Sequence, residues 1–345
     1  MTELTMANDR TTSTELATLG HDLQIKIAAA ATQSKAANTL RAYQSDMRQI
    51  AKYLADTGHT EMVRQIGDTW QLIKPMPAAL IAAYLVERAE VGTALTSLQR
   101  HLASLSKWHA MVADNNQGMA NPCKTQLVRD TLAGLKRANK RTVNKARPLM
   151  TEQIGQILPG LDMETRRGIR DKAVILLGWC GGMRRSELAN LTWSQVRFMP
   201  EGLQITITQA KTDKQGEGQT IGLPYQGKAE TCPVRAVLAW AKVSAADTQS
   251  DLPVFTRIAH NGNYTRMALS GQAIGNIISA CAARVGLQGF TGHSLRAGLI
   301  TEAIAHGRAE HEVMNTTRHK SQAVFRGYVR DAELFTKAAS RGLLS

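Results

Sequence analysis

The chain is short of aromatic residues and of long apolar runs. Phe, Trp and Tyr make up 5% of its 345 residues. Its longest apolar stretches, Ala78–Val86 and Ala173–Cys180, fall far short of the roughly 20 residues that a membrane-spanning helix needs. The amino-terminal segment is polar and has neither the basic start nor the apolar run of a signal peptide. We therefore expect a protein that works in an aqueous compartment.

Cysteine is scarce as well, and its spacing excludes two kinds of site. The four cysteines lie far apart with no CxxC pair, at Cys123, Cys180, Cys232 and Cys281. Zinc ribbons and disulfide frameworks need other spacings, so we expect reduced, mostly buried thiols in a cytoplasmic protein. His306 and His311 stand five residues apart without the carboxylate rhythm of a metal site. No metal and no cofactor are predicted.

Acidic residues are the third shortage. Asp and Glu total 28 against 42 Lys and Arg, which leaves a net charge of +14. A surplus of this size favours a polyanionic partner, either nucleic acid or an anionic membrane. The lack of apolar segments favours nucleic acid. The alternative is that the charge serves only to keep the protein in solution.

The first part of the chain predicts a helical bundle. Residues 1–20 are rich in Thr, Ser and Asn and are expected to form a disordered tail, whereas residues 21–138 follow a helical pattern throughout. Four helices are predicted: between a cap at Asn38 and a stop at Gly58, between Pro77 and Gly92, through Leu95–Leu105, and over Gln126–Ala138. Amphipathic helices of this kind pack into a small bundle.

Basic residues lie off the apolar stripes of these helices, and they continue past the last one. His101 is also predicted to lie off the apolar stripe of its helix, the one through Leu95–Leu105. Residues 139–149 are basic, lack apolar periodicity and are predicted to be an interdomain linker, which either follows a phosphate backbone or is a solvated tether. The residues predicted to contact DNA are Lys35, Arg41, Arg48, Arg100, Lys107, Lys136, Arg137, Lys140, Arg141 and Lys145.

The second part, residues 150–345, changes to a mixed α and β pattern. Leu203–Thr208 alternates apolar and polar residues, and a turn-rich loop joins it to a returning strand, TIGLP, which together predict a β-hairpin. Predicted helices cover Arg170–Cys180, Pro233–Lys242, Gly271–Val285, Ser294–Ala305, Glu310–Thr316 and a stretch around Phe325–Arg330.

Two segments of this second part carry residue types that suit phosphodiester chemistry. In GGMRRSELANL, two glycines break a buried helix and present Arg184, with Glu187 one turn later on the same face. TGHSLRAG places His293 and Arg296 three residues apart at the start of a helix. Arginine forks bind phosphate oxygens and offset the charge that develops when a phosphate is attacked.

A third segment, TRHKSQAVFRGYVR, offers His319 and, nine residues on, Tyr328. The order Arg-x-x-Glu, hairpin Lys, His-x-x-Arg, His or Trp, and Tyr resembles the tyrosine recombinase (phage integrase) family, with a Cre-like spacing. The resemblance covers residue 150 to about residue 330, and NTLRAYQSD resembles the opening helix of the family's core-binding domain. Five motifs in family order are far more specific than any one of them.

The resemblance implies a role for each motif residue. The two arginines would clamp the scissile phosphate, the glutamate would support the first arginine, and a lysine, either Lys211 or its competitor Lys214, would protonate the leaving 5′ oxygen. The first histidine would assist proton transfer at the tyrosine nucleophile, and the second would contact the phosphate. The implied catalytic residues are Arg184, Glu187, Lys211, His293, Arg296, His319 and Tyr328.

One departure from the family concerns the local turn before His319. Arg318 stands where the family often has glycine. The departure does not affect the chemistry that the other residues imply.

The resemblance also implies a fold and an assembly. The expected protein is mainly α with a small β-sheet: a helical core-binding domain and a mixed α/β catalytic domain that form a clamp around double-stranded DNA. Two transesterifications through a 3′-phosphotyrosine would need neither metal nor cofactor. The family works as a homotetramer in its synaptic complex, and we expect this chain to be a monomer in free solution. The expected location is the cytoplasm, on the nucleoid, in a protein of prokaryotic or phage origin.

Two other functions and one structural question stay open in the sequence. A type IB topoisomerase uses nearly the same residues, and a relic recombinase would bind DNA without cleaving it. The C-terminal stretch carries Leu334, Phe335, Ala338 and Leu343 in a helix-compatible pattern. That helix packs either on its own domain or on a neighbouring protomer.

Overall fold

The chain divides into two compact units, Met1–Val143 and Asn144–Ser345. The structure is a computed structural model, and it describes residues 37–113, 120–138, 146–208, 218–259, 261–319, 321–333 and 340. The division falls inside the segment 139–149 that the sequence predicts as a linker. Residues 139–145 and the predicted tail, residues 1–20, lie outside the described residues.

The described part of the first unit contains four α-helices and one β-hairpin, besides two short 3-10 helices. Its elements are α1 (Ala37–Asp56), β1 (Val63–Ile66), β2 (Thr69–Leu72), α2 (Ala78–Glu90), α3 (Leu95–Ala113) and α4 (Gln126–Ala138). The bounds of α2 and α4 confirm the predicted helices. Helix α1 already contains Asn38, so the prediction of a cap at that residue was wrong.

The hairpin corrects the prediction that this unit is helical throughout. Strands β1 and β2 pair in antiparallel register across a turn in which Gly67 has φ 57°. Each strand is four residues long, and only its outermost residue, Val63 or Leu72, is buried. So short a strand with one buried side chain gives little alternation in the sequence, and for that reason the hairpin escaped detection.

A buried carboxylate links α1 to α3. Asp46 is 0% exposed, and it accepts a bidentate hydrogen bond from Arg100 (Nη2 at 2.8 Å) and another from the Ser104 hydroxyl at 2.8 Å. His101 Nε2 lies 3.2 Å from the same carboxylate, and its Nδ1 lies 2.9 Å from the Tyr84 hydroxyl. Burial lowers the pKa of His101, so the ring is neutral and uses one nitrogen as donor and the other as acceptor.

This cluster overturns one expectation and bears on a second. His101 was predicted to lie off the apolar stripe, but it is 1% exposed. Arg100, predicted to contact DNA, binds the Asp46 carboxylate, because a buried carboxylate requires a charged hydrogen-bonding partner, while 44% of its side chain stays exposed, so its DNA contact remains a prediction. The partner lies 54 residues away in sequence, so the helical pattern of α3 alone does not reveal it.

The second unit is larger and mixed. Its elements are α5 (Thr151–Ile157), α6 (Arg166–Cys180), α7 (Arg185–Asn190), β3 (Val196–Met199), β4 (Gly202–Ile207), β5 (Gln219–Pro224), α8 (Pro233–Val243), β6 (Thr256–Ile258), β7 (Tyr264–Ala268), α9 (Gly271–Arg284), α10 (Ser294–Ala305), α11 (Glu310–Thr317) and α12 (Gln322–Glu333). The predicted hairpin is confirmed as β4–β5. Strand β3 and the β6–β7 pair were not predicted. The fold is mainly helical with small antiparallel sheets, as expected.

Two apolar cores stabilise this second unit. The larger core surrounds α6 and α8, where Trp240 is fully buried and donates through Nε1 to the Val254 carbonyl at 2.6 Å. A smaller core holds α12 against α10 and α11 through Phe325 and Val329. None of the described helices combines the length and apolarity that crossing a membrane would require.

Replacing Asp46 with alanine is expected to destabilise the first unit on the order of 3 kcal/mol, because the buried Ser104 hydroxyl and His101 would lose their partner. Hydrogen-exchange mass spectrometry of α1 and α3 peptides, in a urea series, measures the change. Asp56→Ala removes an exposed carboxylate from the same helix and is the matched control. Equal protection in the two variants would contradict the prediction.

Candidate active site

A glycine turn brings two distant motifs into contact. Helix α6 ends at Cys180, and the following residues, Gly181 and Gly182, turn the chain toward α7. Gly182 has φ 51°, and a Cβ added there would lie 2.7 Å from a methyl carbon of Thr317, in the last turn of α11. Only glycine fits this close approach, so the segment before Arg184 packs directly against the segment before His319.

Arg184 and Glu187 form the ion pair that their spacing predicts. Glu187 accepts hydrogen bonds from the backbone N–H of Arg184 at 2.8 Å and from its Nη1. Burial alone would raise the pKa of the Glu187 carboxyl, but Arg318 and then the backbone and side chain of Arg184 outweigh burial. The net pKa lies below its ordinary value, so Glu187 is ionised.

Arg296 is a buried cation at the centre of the site. Its Nη1 donates to the Gly182 carbonyl at 2.6 Å, and its Nη2 lies 3.1 and 3.2 Å from the two ring nitrogens of His319. Burial and then the charge of Arg184 lower the pKa of Arg296 to about 9, which leaves it protonated at neutral pH.

His319 lies among these cations and is neutral. Its Nδ1 is 2.8 Å from the Thr317 hydroxyl. Burial and the charges of Arg296, Arg184 and Arg318 lower the pKa of His319 to about 3. A neutral ring keeps one N–H donor and one acceptor nitrogen.

Tyr328 stands beside His319 on α12. The two ring centroids are 6.0 Å apart, and the ring of Phe325, one turn earlier, is 5.5 Å from His319. Phe325 and Val329 are buried in the small core, which fixes α12 and with it the half-buried Tyr328. The phenol is therefore held next to the arginine cluster.

His293 lies at the edge of the site, at the start of α10. Its side chain is exposed, yet loss of hydration and then the charges of Arg185, Arg296 and Arg184 lower its pKa. A neutral histidine at this edge can accept a proton. The structure thus brings together five of the implied catalytic side chains and puts His293 within their electrostatic reach.

The remaining predicted residues are not part of this cluster. Arg41, Arg48, Lys136 and Arg137 are exposed on the first unit, and Lys107 Nζ lies 5.3 Å from the centre of the Tyr43 ring. Others lie outside the described residues: Lys211, Lys214, Lys35, Lys140, Arg141, Lys145 and the C-terminal residues Leu334, Phe335, Ala338 and Leu343. In the part of the chain that the structure describes, no three His, Cys, Asp or Glu side chains are grouped to bind a metal ion.

Sequence reasoning missed one member of the cluster. Arg318 was seen only as a departure from glycine, but its guanidinium donates to Glu187 Oε2 at 2.8 Å and to the Gly182 carbonyl at 3.2 Å. Its position next to His319 was the available signal, because a basic residue directly before a phosphate contact can join the same charge network.

Comparisons with known proteins bear on the identity of this site. The model of the phage integrase family matches residues 147–334. An "integrase/recombinase xerD homolog" of Selenomonas ruminantium is 30% identical over 305 residues, which cover 88% of this chain and 84% of that protein.

Two solved structures share the fold. XerH site-specific recombinase, bound to a palindromic difH substrate in a post-cleavage complex, has a TM-score of 0.61 at 17% identity over 87% of this chain and 79% of its own. A lambda integrase tetramer bound to a Holliday junction has a TM-score of 0.56 at 15% identity, over 88% of this chain and 75% of its own.

The low pKa of His319 predicts a pH dependence of stability. Unfolded His319 takes up a proton near pH 6.5 and the folded ring does so only near pH 3, so protonation favours the unfolded chain as the pH falls through this window. Between pH 7 and pH 5.5 the wild type should lose about 1 kcal/mol more stability than His319→Asn. Denaturant unfolding at the two pH values measures the difference. His311→Asn, at an exposed histidine of α11, is the control, and equal losses in wild type and His319→Asn would refute the prediction.

Proposed function

Because the chain belongs to the phage integrase family, we propose that it is a site-specific DNA recombinase that cleaves and rejoins DNA through a phosphotyrosine at Tyr328. The observation that carries the proposal is the convergence of Arg184, Arg296 and His319 beside that tyrosine, from segments up to about 140 residues apart. Cations and a nucleophile at one place are what the reaction requires.

In the first step, the Tyr328 oxygen attacks the scissile phosphorus. A new bond forms between that oxygen and phosphorus, and the bond from phosphorus to the 5′ oxygen breaks. His293 takes the phenolic proton, since a phenol is mostly protonated near neutral pH and attacks poorly in that form. Lys211, or Lys214 in its place, gives a proton to the leaving oxygen. Arg184 and Arg296 bind the phosphate oxygens and stabilise the added negative charge.

In the second step, a 5′ hydroxyl of the partner duplex attacks the 3′-phosphotyrosine. The phosphodiester is restored between new ends as the bond from phosphorus to the Tyr328 oxygen breaks. Lys211, or Lys214 in its place, takes the proton of the attacking hydroxyl, and His293 returns a proton to Tyr328, which leaves as the phenol. One phosphoester bond is made for each that is broken, so neither step consumes ATP. The proposed steps use only side chains of the chain itself.

The partner that we propose is double-stranded DNA, bound by monomers that assemble into a synaptic homotetramer. Strand exchange needs two duplexes, each cleaved at two positions, which four protomers supply. The lambda integrase tetramer on a Holliday junction supports such an assembly. The bacterial relative supports a role in the cytoplasm, and we propose that the protein works there on the DNA of the nucleoid.

The nucleophile is tested by covalent trapping. On a nicked suicide duplex that carries the target site, the wild type should form an SDS-resistant, protease-sensitive adduct, because the cleaved fragment diffuses away and religation fails. Tyr328→Phe should form none, since it lacks the attacking oxygen. Tyr225→Phe, at an exposed tyrosine of the same unit, should react like the wild type. A wild type that binds the site without forming an adduct would favour the DNA-binding relic over the enzyme.

The salt dependence of binding tests the DNA contacts of the first unit. The plot of log K against log [salt] has a negative slope. Replacing Lys136 and Arg137 with alanine should make that slope less steep, by roughly 0.9 for each phosphate that is no longer neutralised. Arg100→Gln shows whether a guanidinium that already binds Asp46, and whose side chain is 44% exposed, also neutralises a phosphate, since only then does the slope become shallower. Gel shifts over a salt series measure both, and an unchanged slope in the double variant would remove α4 from the proposed DNA surface.

A further inference from the structure

Arg318 is a buried cation of the site to which the proposed steps give no role. It ends α11 with φ 57° and ψ 45°, in the left-handed region. That backbone costs a residue with a side chain about 1–2 kcal/mol, whereas glycine adopts it freely. An arginine in place of the family's frequent glycine is expected only where its side chain offsets that cost.

The Arg318 side chain joins the two segments that carry predicted phosphate contacts. Its guanidinium donates to three backbone carbonyl oxygens, those of Gly181 (3.2 Å), Gly182 (3.2 Å) and Thr316. It also donates to Glu187 Oε2 at 2.8 Å. The buried Arg318 guanidinium therefore links the glycine turn before Arg184 to the end of α11, directly before His319.

Arg318 also changes the charge that Glu187 leaves at the site. The Oε1 atom of Glu187 binds Arg184, and its Oε2 atom binds Arg318. With Arg184 as its single cation, the carboxylate would neutralise the guanidinium that is predicted to hold the phosphate. With two cations on one carboxylate, a positive charge remains. Arg296 adds another, so three guanidiniums and one carboxylate leave an excess of two positive charges.

We propose that Arg318 is a positioning residue for DNA cleavage: by binding Glu187 and the glycine turn, it sets the direction and effective charge of Arg184 without touching DNA. The inference rests on the proposed function. The Arg318 side chain is 1% exposed and lies too deep to reach a phosphate.

The charge excess favours the transition state over bound DNA. Attack by the Tyr328 oxygen adds a second negative charge to a phosphodiester that carries one in the ground state. An excess of two positive charges balances the two negative charges of the transition state. An excess of one would balance only the single negative charge of the substrate phosphodiester. An interaction that strengthens in the transition state raises the rate and not the affinity. Arg318 therefore acts on cleavage more than on binding.

Single-turnover cleavage of the suicide duplex, measured beside DNA affinity in gel shifts, tests the inference. Arg318→Met and Arg318→Gly should each reduce the rate about tenfold or more while DNA affinity stays within about twofold. The glycine variant removes the backbone strain together with the side chain. A wild-type rate in that variant would overturn the inference. Arg235→Met, which removes an exposed guanidinium lying over the Tyr225 ring, should keep the wild-type rate.

A second substitution separates positioning from a merely structural role. In Arg318→Met, the Glu187 carboxylate has Arg184 as its remaining cation and neutralises it. Adding Glu187→Gln removes that negative charge. If Arg318 acts by binding Glu187, the double variant should therefore cleave about threefold faster or more than Arg318→Met. If Arg318 only stabilises the fold, the double variant is slower than the single one and its thermal midpoint falls in step with the rate, which overturns the inference.

The two proposals fail differently in this design. A wild type that forms no adduct overturns the proposed function and the role of Arg318 with it. If the wild type forms the adduct and both Arg318 variants cleave as fast as the wild type, the role of Arg318 is overturned and the proposed function stands.

Discussion

The carboxylate of Glu187 is the interaction on which the rest of the site depends. Three guanidiniums lie close together there: those of Arg296 and Arg318 are buried and lose hydration, that of Arg184 is partly exposed, and their like charges repel. Glu187 binds two of them directly, and the Gly182 carbonyl accepts hydrogen bonds from Arg296 and Arg318. Without these acceptors the cluster could not stay both buried and charged.

The two units use a buried carboxylate in opposite ways. Asp46 is saturated by Arg100, Ser104 and His101, so its arginine is committed to the helix packing of the first unit. Glu187 is shared between two arginines, which leaves a surplus of positive charge. Paired carboxylates and arginines therefore serve stability in one place and, in the function that we propose, phosphate chemistry in the other, and the number of cations on each carboxylate makes the difference.

The sequence predicted what depends on local pattern and missed what depends on distant partners. Helices α2, α4 and α10 matched their predicted bounds closely because apolar periodicity and end signals are local. The hairpin β1–β2 was missed because its four-residue strands bury one side chain each. The pairing of Arg100 with Asp46 spans 54 residues, and that of Arg318 with Glu187 spans 131, so no spacing rule reaches either one.

The arginine cluster also gives a physical reason why histidine and tryptophan, the two residues that the resemblance implies at the position of His319, could serve there equally. Burial and three neighbouring guanidiniums lower the pKa of this histidine to about 3, so at neutral pH it never adds a fourth positive charge. A neutral imidazole carries one N–H donor, and the indole of tryptophan, which is always neutral, carries one as well. The two side chains are therefore equivalent in charge and in donor number, provided that the surrounding cations keep the histidine unprotonated.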